Sequence, residues 1–351
     1  MEVKARACRK GFSFVTAGLI VSFLLAEVAL RLFSPFENQY VVSTLGTFAP
    51  DLQLGWVLKP NLRMTRKWGG RDVVIRTDAN GHRIPDTNRE SDFERPILVA
   101  GDSYVFGHEV NAEETFVYLL GQLGKTKTVN LGVGGYYLSQ VCLSLRRSLA
   151  LTQAQRALLV IYVGNDLQDG AYPPEQTFRV DQYGNLLTTA SSFWDKPRSF
   201  ILRHSLLAYH LALIRYTLVQ LWKEHRENRH ESWIYNPTAF TSNRLDEHRK
   251  LLSSVRDQAR ALGVPLTVVI MPERWQVYGS LGDLPNQRVA AMLVDLQIPF
   301  VDLLPAMKEA AAQKKVLWHK FYGGHLSPEG NQFVADILLE HLRRADKAQH
   351  R

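Results

Sequence analysis

Four short segments carry side chains whose types and order could do chemistry. Gly101-Asp102-Ser103 closes an apolar run and leads into Tyr104-Val105-Phe106-Gly107. A second run passes into Asn130-Leu131-Gly132-Val133-Gly134-Gly135, and a third ends in Gly164-Asn165-Asp166. Near the C-terminus stands His325-Leu326-Ser327-Pro328-Glu329-Gly330-Asn331. A serine hydroxyl becomes a nucleophile when a base lies within hydrogen-bond reach and N–H donors await the developing oxyanion. Ser103 is the serine placed for this. His325 sits on a late loop just before the last helical pattern, Asn165 offers a side-chain NH₂, and a glycine turn lets a backbone N–H approach the same point. Together they make a complete set for acyl transfer.

Such residues must be held at the ends of strands. From Arg95 onward, short β-branched runs alternate with helical patterns. Pro96–Ala100, Thr128–Leu131, Ala157–Val163, Pro265–Met271 and Ile298–Leu303 each read as a strand buried on both faces, as a helix-covered parallel sheet requires. Helical patterns occupy Glu113–Leu123, Leu138–Leu151, Leu251–Leu262, Val289–Leu296 and Pro328–Arg343. Five βα units predict a three-layer α/β/α fold on a mostly parallel five-stranded sheet, with the site at the carboxyl ends of the strands. Residues 34–92 read as a stalk and a small β-rich subdomain, and 93–345 as the α/β domain, followed by a short tail at 346–351. A helical insertion breaks the rhythm at about 170–249.

In order and spacing, these segments resemble the SGNH/GDSL hydrolase superfamily. GDSYVFG is similar to its first block, NLGVGG to its second, GND to its third and HLSPEGN to its fifth, across about Pro96 to Arg343. The resemblance implies an SGNH, flavodoxin-like fold, Ser103 as nucleophile and His325 as general base. It also implies an oxyanion hole from the Ser103 N–H, the Gly135 N–H and the Asn165 side chain, Gly135 being the second glycine of the block's NxGxxG frame. The superfamily usually carries an aspartate two or three residues before the histidine to orient it. Here those positions are Gly323 and Tyr322, neither of which accepts charge. The sequence therefore predicts a Ser103–His325 dyad and a slow enzyme, with Asp302, at the end of the fifth strand, as the candidate third member.

Simpler readings compete with several of these. GVGG as a dinucleotide loop fails, because no G-x-G-x-x-G opens a helix after the first strand and no acid follows at ribose distance. Asp102 reads as a brace for its turn and Asp166 as a helix cap. His319 reads as a surface residue, since no HExxH or paired-carboxylate spacing accompanies it. No metal, nucleotide or redox cofactor is implied. Two cysteines, Cys8 and Cys142, in 351 residues exclude a cysteine-rich module.

The net charge of +8 gathers at the ends, with Lys4, Arg6, Arg9 and Lys10 at one and Arg343, Arg344, Lys347 and Arg351 at the other. A near-neutral middle disfavours nucleic acid as a partner. Behind the first cluster, Gly11–Phe33 provides 23 residues, against about 20 for a bilayer span, if Glu27 and Arg31 pair one turn apart. The expectation is a short cytoplasmic tail at 1–10, an uncleaved transmembrane anchor at 11–33 and everything after Phe36 outside, by the positive-inside rule. A cleaved signal peptide is the alternative, without a clean A-x-A site to support it. Within the insertion, Phe200–Trp222 is apolar but interrupted by Arg203, His204, His210 and Arg215. It reads first as a helix over the active-site mouth and second as a basic amphipathic helix on the membrane surface.

The combined expectation is a bacterial cell-membrane protein with its catalytic domain periplasmic or extracellular. It would be an esterase or acyltransferase acting on O-acyl groups, above all O-acetyl groups, of a surface glycan. The phrases Leu54-Gly55-Trp56 and Lys59-Pro60-Asn61 resemble members associated with bacterial surface polysaccharides. The alternative is a non-catalytic glycan-binding or scaffold protein that retains the fold.

Overall fold

The computed structural model describes residues 2–33, 46–68, 71–87, 95–168, 178–180, 185–188, most of 200–218, 242–279, 281–319 and 324–349. Tyr322 and Gly323 lie outside the described residues, as does the stalk at 34–45. The chain forms two compact units, one of Met1–Leu45, Lys67–Arg71 and Ala190–Arg229, the other of Gly46–Arg66, Asp72–Thr189 and His230–Arg351. In the first unit the apolar N-terminal sequence is one helix, α1 (Glu2–Phe33).

The second unit opens with an antiparallel hairpin, β1 (Phe48–Asp51) and β2 (Gly55–Leu58), followed by most of β3 (Arg63–Trp68) and β4 (Arg71–Thr77) and by β5 (Arg83–Ile84). Then come β6 (Ile97–Ala100), α2 (Ser103–Phe106), α3 (Phe116–Gly124), β7 (Thr128–Asn130), α4 (Leu138–Leu151) and β8 (Arg156–Tyr162). A short hairpin, β9 (Phe178–Val180) and β10 (Leu186–Thr188), precedes α5 (Ser242–Ala261) and β11 (Leu266–Met271). The chain closes with α6 (Arg274–Tyr278), α7 (Leu284–Asp295), β12 (Phe300–Asp302), α8 (Leu304–Ala312) and α9 (Pro328–Gln349).

The five expected strands form the parallel part of the sheet, in the order β12-β11-β8-β6-β7. Their side chains alternate between two cores. Leu98, Ala100, Leu159, Ile161, Val268 and Ile270 face one helical layer, while Ile97, Val99, Leu158, Val160, Val269 and Met271 face the other. Burial on both faces of β6, β8 and β11 is why those three read as unbroken apolar runs, while β7 and β12 are only partly buried.

The sequence reading falls short in two places. The β-rich segment contributes β5, β4 and β3 to the same sheet, which has eight strands among the described residues, by pairing Arg83 antiparallel to Asn130 on the open edge of β7. An uncovered β7 edge would leave backbone groups unpaired, and β5 removes that cost. The insertion is not wholly helical, because it includes β9 and β10, paired antiparallel.

Candidate active site

The register sets the C-terminal ends of β6, β7 and β8 side by side, with Val99 opposite Asn130 and Ala100 opposite Leu159. The segments that follow, at Ser103, at Gly132–Gly135 and at Asn165, therefore leave the same sheet edge. Ser103 begins α2, whose N-cap is Asp102. The Asp102 carboxylate accepts the Tyr104 N–H at 2.9 Å and lies 3.3 Å from the Ser103 hydroxyl. Asp102 is buried, and the loss of solvation raises its pKa. Its position is that of a turn brace.

His325 approaches from the loop before α9. Its Nε2 lies 2.9 Å from Ser103 Oγ. Its Nδ1 lies 2.9 Å from Glu109 Oε1, and the Glu109 side chain is only 1% exposed. Serine, imidazole and carboxylate thus form one hydrogen-bonded line, and the arrangement has three members where a dyad was expected. Asp302 is not among them: its Oδ1 accepts the Asn286 amide at 2.8 Å and the Leu304 N–H at 3.0 Å, so it caps α8 and braces α7. His319 is not simply a surface side chain, since its Nε2 stands 3.9 Å from Glu109 Oε2.

Glu109 reaches the site through an unusual backbone. Its φ is +75°, in the left-handed region that costs a non-glycine residue about 1 kcal/mol or more. The turn is held from β5. The Arg83 guanidinium donates to the carbonyls of Phe106 (2.6 Å), Gly107 (2.5 Å) and Val110 (2.6 Å), and stacks on the Phe106 ring at 4.5 Å. Burial lowers the Arg83 pKa to about 10, still charged at neutral pH. Each carbonyl left bare would cost about 1–3 kcal/mol. Arg83→Ala is expected to lower the urea midpoint sharply and to cut turnover in the protein that remains folded. Arg83→Lys should recover only part of both, because one ammonium cannot span three carbonyls. Wild-type turnover in folded Arg83→Ala would show that Glu109 is held without it.

The histidine loop is secured as firmly. Tyr104 donates its hydroxyl to the Gly324 carbonyl and accepts the Trp318 indole N–H at 3.1 Å. Ser327 Oγ accepts the Gly330 N–H and donates to the Val316 carbonyl, while Asn331 accepts the Phe116 N–H at 2.9 Å. The imidazole lies between two rings, Tyr104 at 5.2 Å and His108 at 4.8 Å. Desolvation, with the nearby His325 and Arg83, holds the His108 pKa well below its ordinary value, so this ring is neutral.

The glycine segment lies against α2, the helix that Ser103 begins. Asn130 accepts the Gly132 N–H at 2.9 Å and donates to the Val105 carbonyl at 2.7 Å, and the Val133 N–H donates to Gly101. A Cβ on Gly132 would lie 2.1 Å from the Phe106 nitrogen, a backbone atom that cannot swing aside. Gly132→Ala should therefore displace α2, with a large fall in kcat and a lower melting temperature. Unchanged kinetics would show that the two segments can separate without harm. Gly135 adopts a φ of +82°. The Asn165 side-chain oxygen is buried without a hydrogen-bond partner among the described residues. No hydrogen bond joins Gly135 or Asn165 to Ser103 among the described residues.

The sequence reading missed Glu109, Tyr104 and Arg83. The available signal was that Glu109 is the one acid between Ser103 and Glu113, on the segment that follows Ser103.

The GDSL-like Lipase/Acylhydrolase family profile matches residues 99–333. The chain belongs to this family. Accordingly it is a serine ester hydrolase with the α/β fold of GDSL hydrolases. Among solved structures it is similar to the acetyl xylan esterase AlAXEase, at 11% identity, over 70% of this chain and 98% of that one, with a TM-score of 0.41. A lipase/acylhydrolase from Enterococcus faecalis matches at 11% identity over 72% and 96%, TM-score 0.40. The psychrotrophic esterase EstA from Pseudoalteromonas sp. matches at 11% identity over 72% and 99%, TM-score 0.39. No curated protein matches the chain.

Proposed function

We propose that Ser103, His325 and Glu109 act as nucleophile, general base and orienting carboxylate in the cleavage of O-acyl esters. The unbroken Ser103–His325–Glu109 hydrogen-bond line carries this reading. Nδ1–H donated to Glu109 leaves Nε2 as the acceptor facing Ser103, the tautomer that a general base requires. His325 takes the hydroxyl proton as Oγ attacks the ester carbonyl. The backbone N–H groups of Ser103 and Gly135 and the Asn165 amide receive the oxyanion. The imidazolium returns its proton to the departing alkoxide. Water, or a sugar hydroxyl in a transferase, then resolves the acyl-enzyme by the same steps in reverse. The absence of an acid before His325 was the sequence's best argument for a non-catalytic protein, and Glu109 removes its force.

The substrate class proposed is O-acetylated surface glycan, met outside the cytoplasm by a protein held at the cell membrane. The membrane placement is supported by the stretch Val15–Phe33, 19 helical residues of mean hydropathy 1.9 with no part buried, behind four basic residues, and the glycan by the likeness of Leu54-Gly55-Trp56 and Lys59-Pro60-Asn61 to polysaccharide-associated members. Acetate release from O-acetylated polysaccharides by the full-length protein in detergent tests the substrate. Release from none of them, with small acetyl esters still cleaved, would exclude glycans. A reporter active only outside the cytoplasm should function when fused after Arg351. Function of a cytoplasm-only reporter there would reverse the topology.

A further inference from the structure

Glu27 lies in the apolar span of α1, where an unpaired carboxylate is costly. It is not unpaired. Arg31, one turn later, donates to it at 2.8 Å, as the sequence led one to expect. The remaining donors come from the insertion: the Ser205 hydroxyl and the N–H groups of Leu206 and Leu207, each at 2.9 Å. The Leu206 and Leu207 N–H groups stand in the first turn of a helical segment at 206–212, so Glu27 caps a second helix from within the span. Arg31 adds a bond to the His204 carbonyl at 2.7 Å.

The capped segment has two faces. Leu206 and Tyr209 are buried. At 100° per residue, Leu211, Ile214 and Leu218 fall on the opposite stripe, and they are 53%, 49% and 59% exposed. Phe200 and Ile201, just before it, are also exposed. Arg215 lies at the edge of the stripe, where its long stem lets the charge reach a phosphate headgroup.

From this we infer that the 200–218 segment is a second membrane-embedded element, paired with the anchor through Glu27 and inserting Leu211, Ile214 and Leu218 into the same bilayer. The occupant of the exposed stripe is lipid, because the stripe belongs to a helix fastened inside the span itself. A single turn of α1 is about 5.4 Å, so Glu27, six residues before Phe33, sets the start of the second helix roughly 9 Å inside the end of the span. This is the depth at which an amphipathic helix beds its apolar face. The N-terminal helix is then a structural partner of the mature protein and not a leader to be removed. The inference rests on the membrane-anchor reading.

The test uses the full chain, with Cys8 and Cys142 replaced by Ala, in vesicles of phosphatidylethanolamine and phosphatidylglycerol. Single cysteines at Val21, Leu211, Ile214 and Leu218 carry a fluorophore, quenched either by nitroxide-labelled lipid or by aqueous iodide. Leu211, Ile214 and Leu218 are expected to lose at least half as much fluorescence to nitroxide lipid as Val21 does, and little to iodide. Adding Glu27→Leu to the labelled chains, which removes the acceptor of the Ser205, Leu206 and Leu207 donors, should shift 211, 214 and 218 from nitroxide to iodide quenching while Val21 stays quenched by lipid. With Glu27 in place, iodide quenching at 211, 214 and 218, with Val21 still quenched by lipid, would overturn the inference and leave the anchor intact. Unchanged lipid quenching at 211, 214 and 218 in Glu27→Leu would overturn the pairing through Glu27. Iodide quenching at Val21, or its loss by cleavage, would overturn the anchor reading and the inference with it.

Discussion

Glu109→Gln is expected to lower kcat by about 10³- to 10⁴-fold while the protein folds normally. Glutamine is nearly isosteric with glutamate, so the left-handed turn and the Arg83 clamp persist. The hydrogen bond changes character. A side-chain amide can donate to His325 Nδ1, which stabilises the tautomer carrying its proton on Nε2, the nitrogen 2.9 Å from Ser103 Oγ. That tautomer cannot accept the serine proton, and no carboxylate remains to stabilise the imidazolium. Loss of tautomer control in a dependent triad costs about 10⁴ in kcat. Asp302→Asn is the paired measurement and should change kcat less than a few-fold, because Asp302 serves Asn286 and Leu304. Steady-state kinetics on a small acetyl ester with purified, folded variants compares the two. If Asp302→Asn proves the more damaging, Glu109 is not the orienting carboxylate.

Ser103→Ala and His325→Ala should each remove nearly all turnover, on the order of 10⁵- to 10⁶-fold, and combining them should cost little more. The reason is functional unity: without the base the hydroxyl keeps its proton, and without the hydroxyl the base has nothing to activate. A residue of activity from the oxyanion hole and substrate binding is expected to survive. A fluorophosphonate, which loses fluoride as serine oxygen bonds to phosphorus, should label the wild type and spare Ser103→Ala. Ser103 is partly exposed, so the probe can reach it. Full labelling of Ser103→Ala would move the nucleophile elsewhere.

Most of the sheet, and two members of the Ser103–His325–Glu109 hydrogen-bond line, were legible in the chain. The strands at 97–100, 156–162 and 266–271 are buried on both faces, and such strands must be written almost wholly in apolar residues. Ser103 and His325 stand in segments whose neighbours do local work that any sequence must spell out. Asp102 caps α2, Asn130 braces Gly132, and Ser327 caps α9.

Contacts between distant residues were what only the tertiary structure decided. Glu109 meets His325 across 216 positions, and it does so from a backbone angle that no propensity assigns to glutamate. Arg83, an ordinary β-strand residue by sequence, becomes the clamp on that turn only when β5 joins the edge of β7. Glu27 looked like an acid needing one partner at Arg31, yet it also caps a helix nearly 180 residues away. Local pattern specifies what a segment buries, because burial is set by periodicity along the segment. It does not specify which carboxylate a distant imidazole or helix end will find, because that choice is made by the closing of the fold.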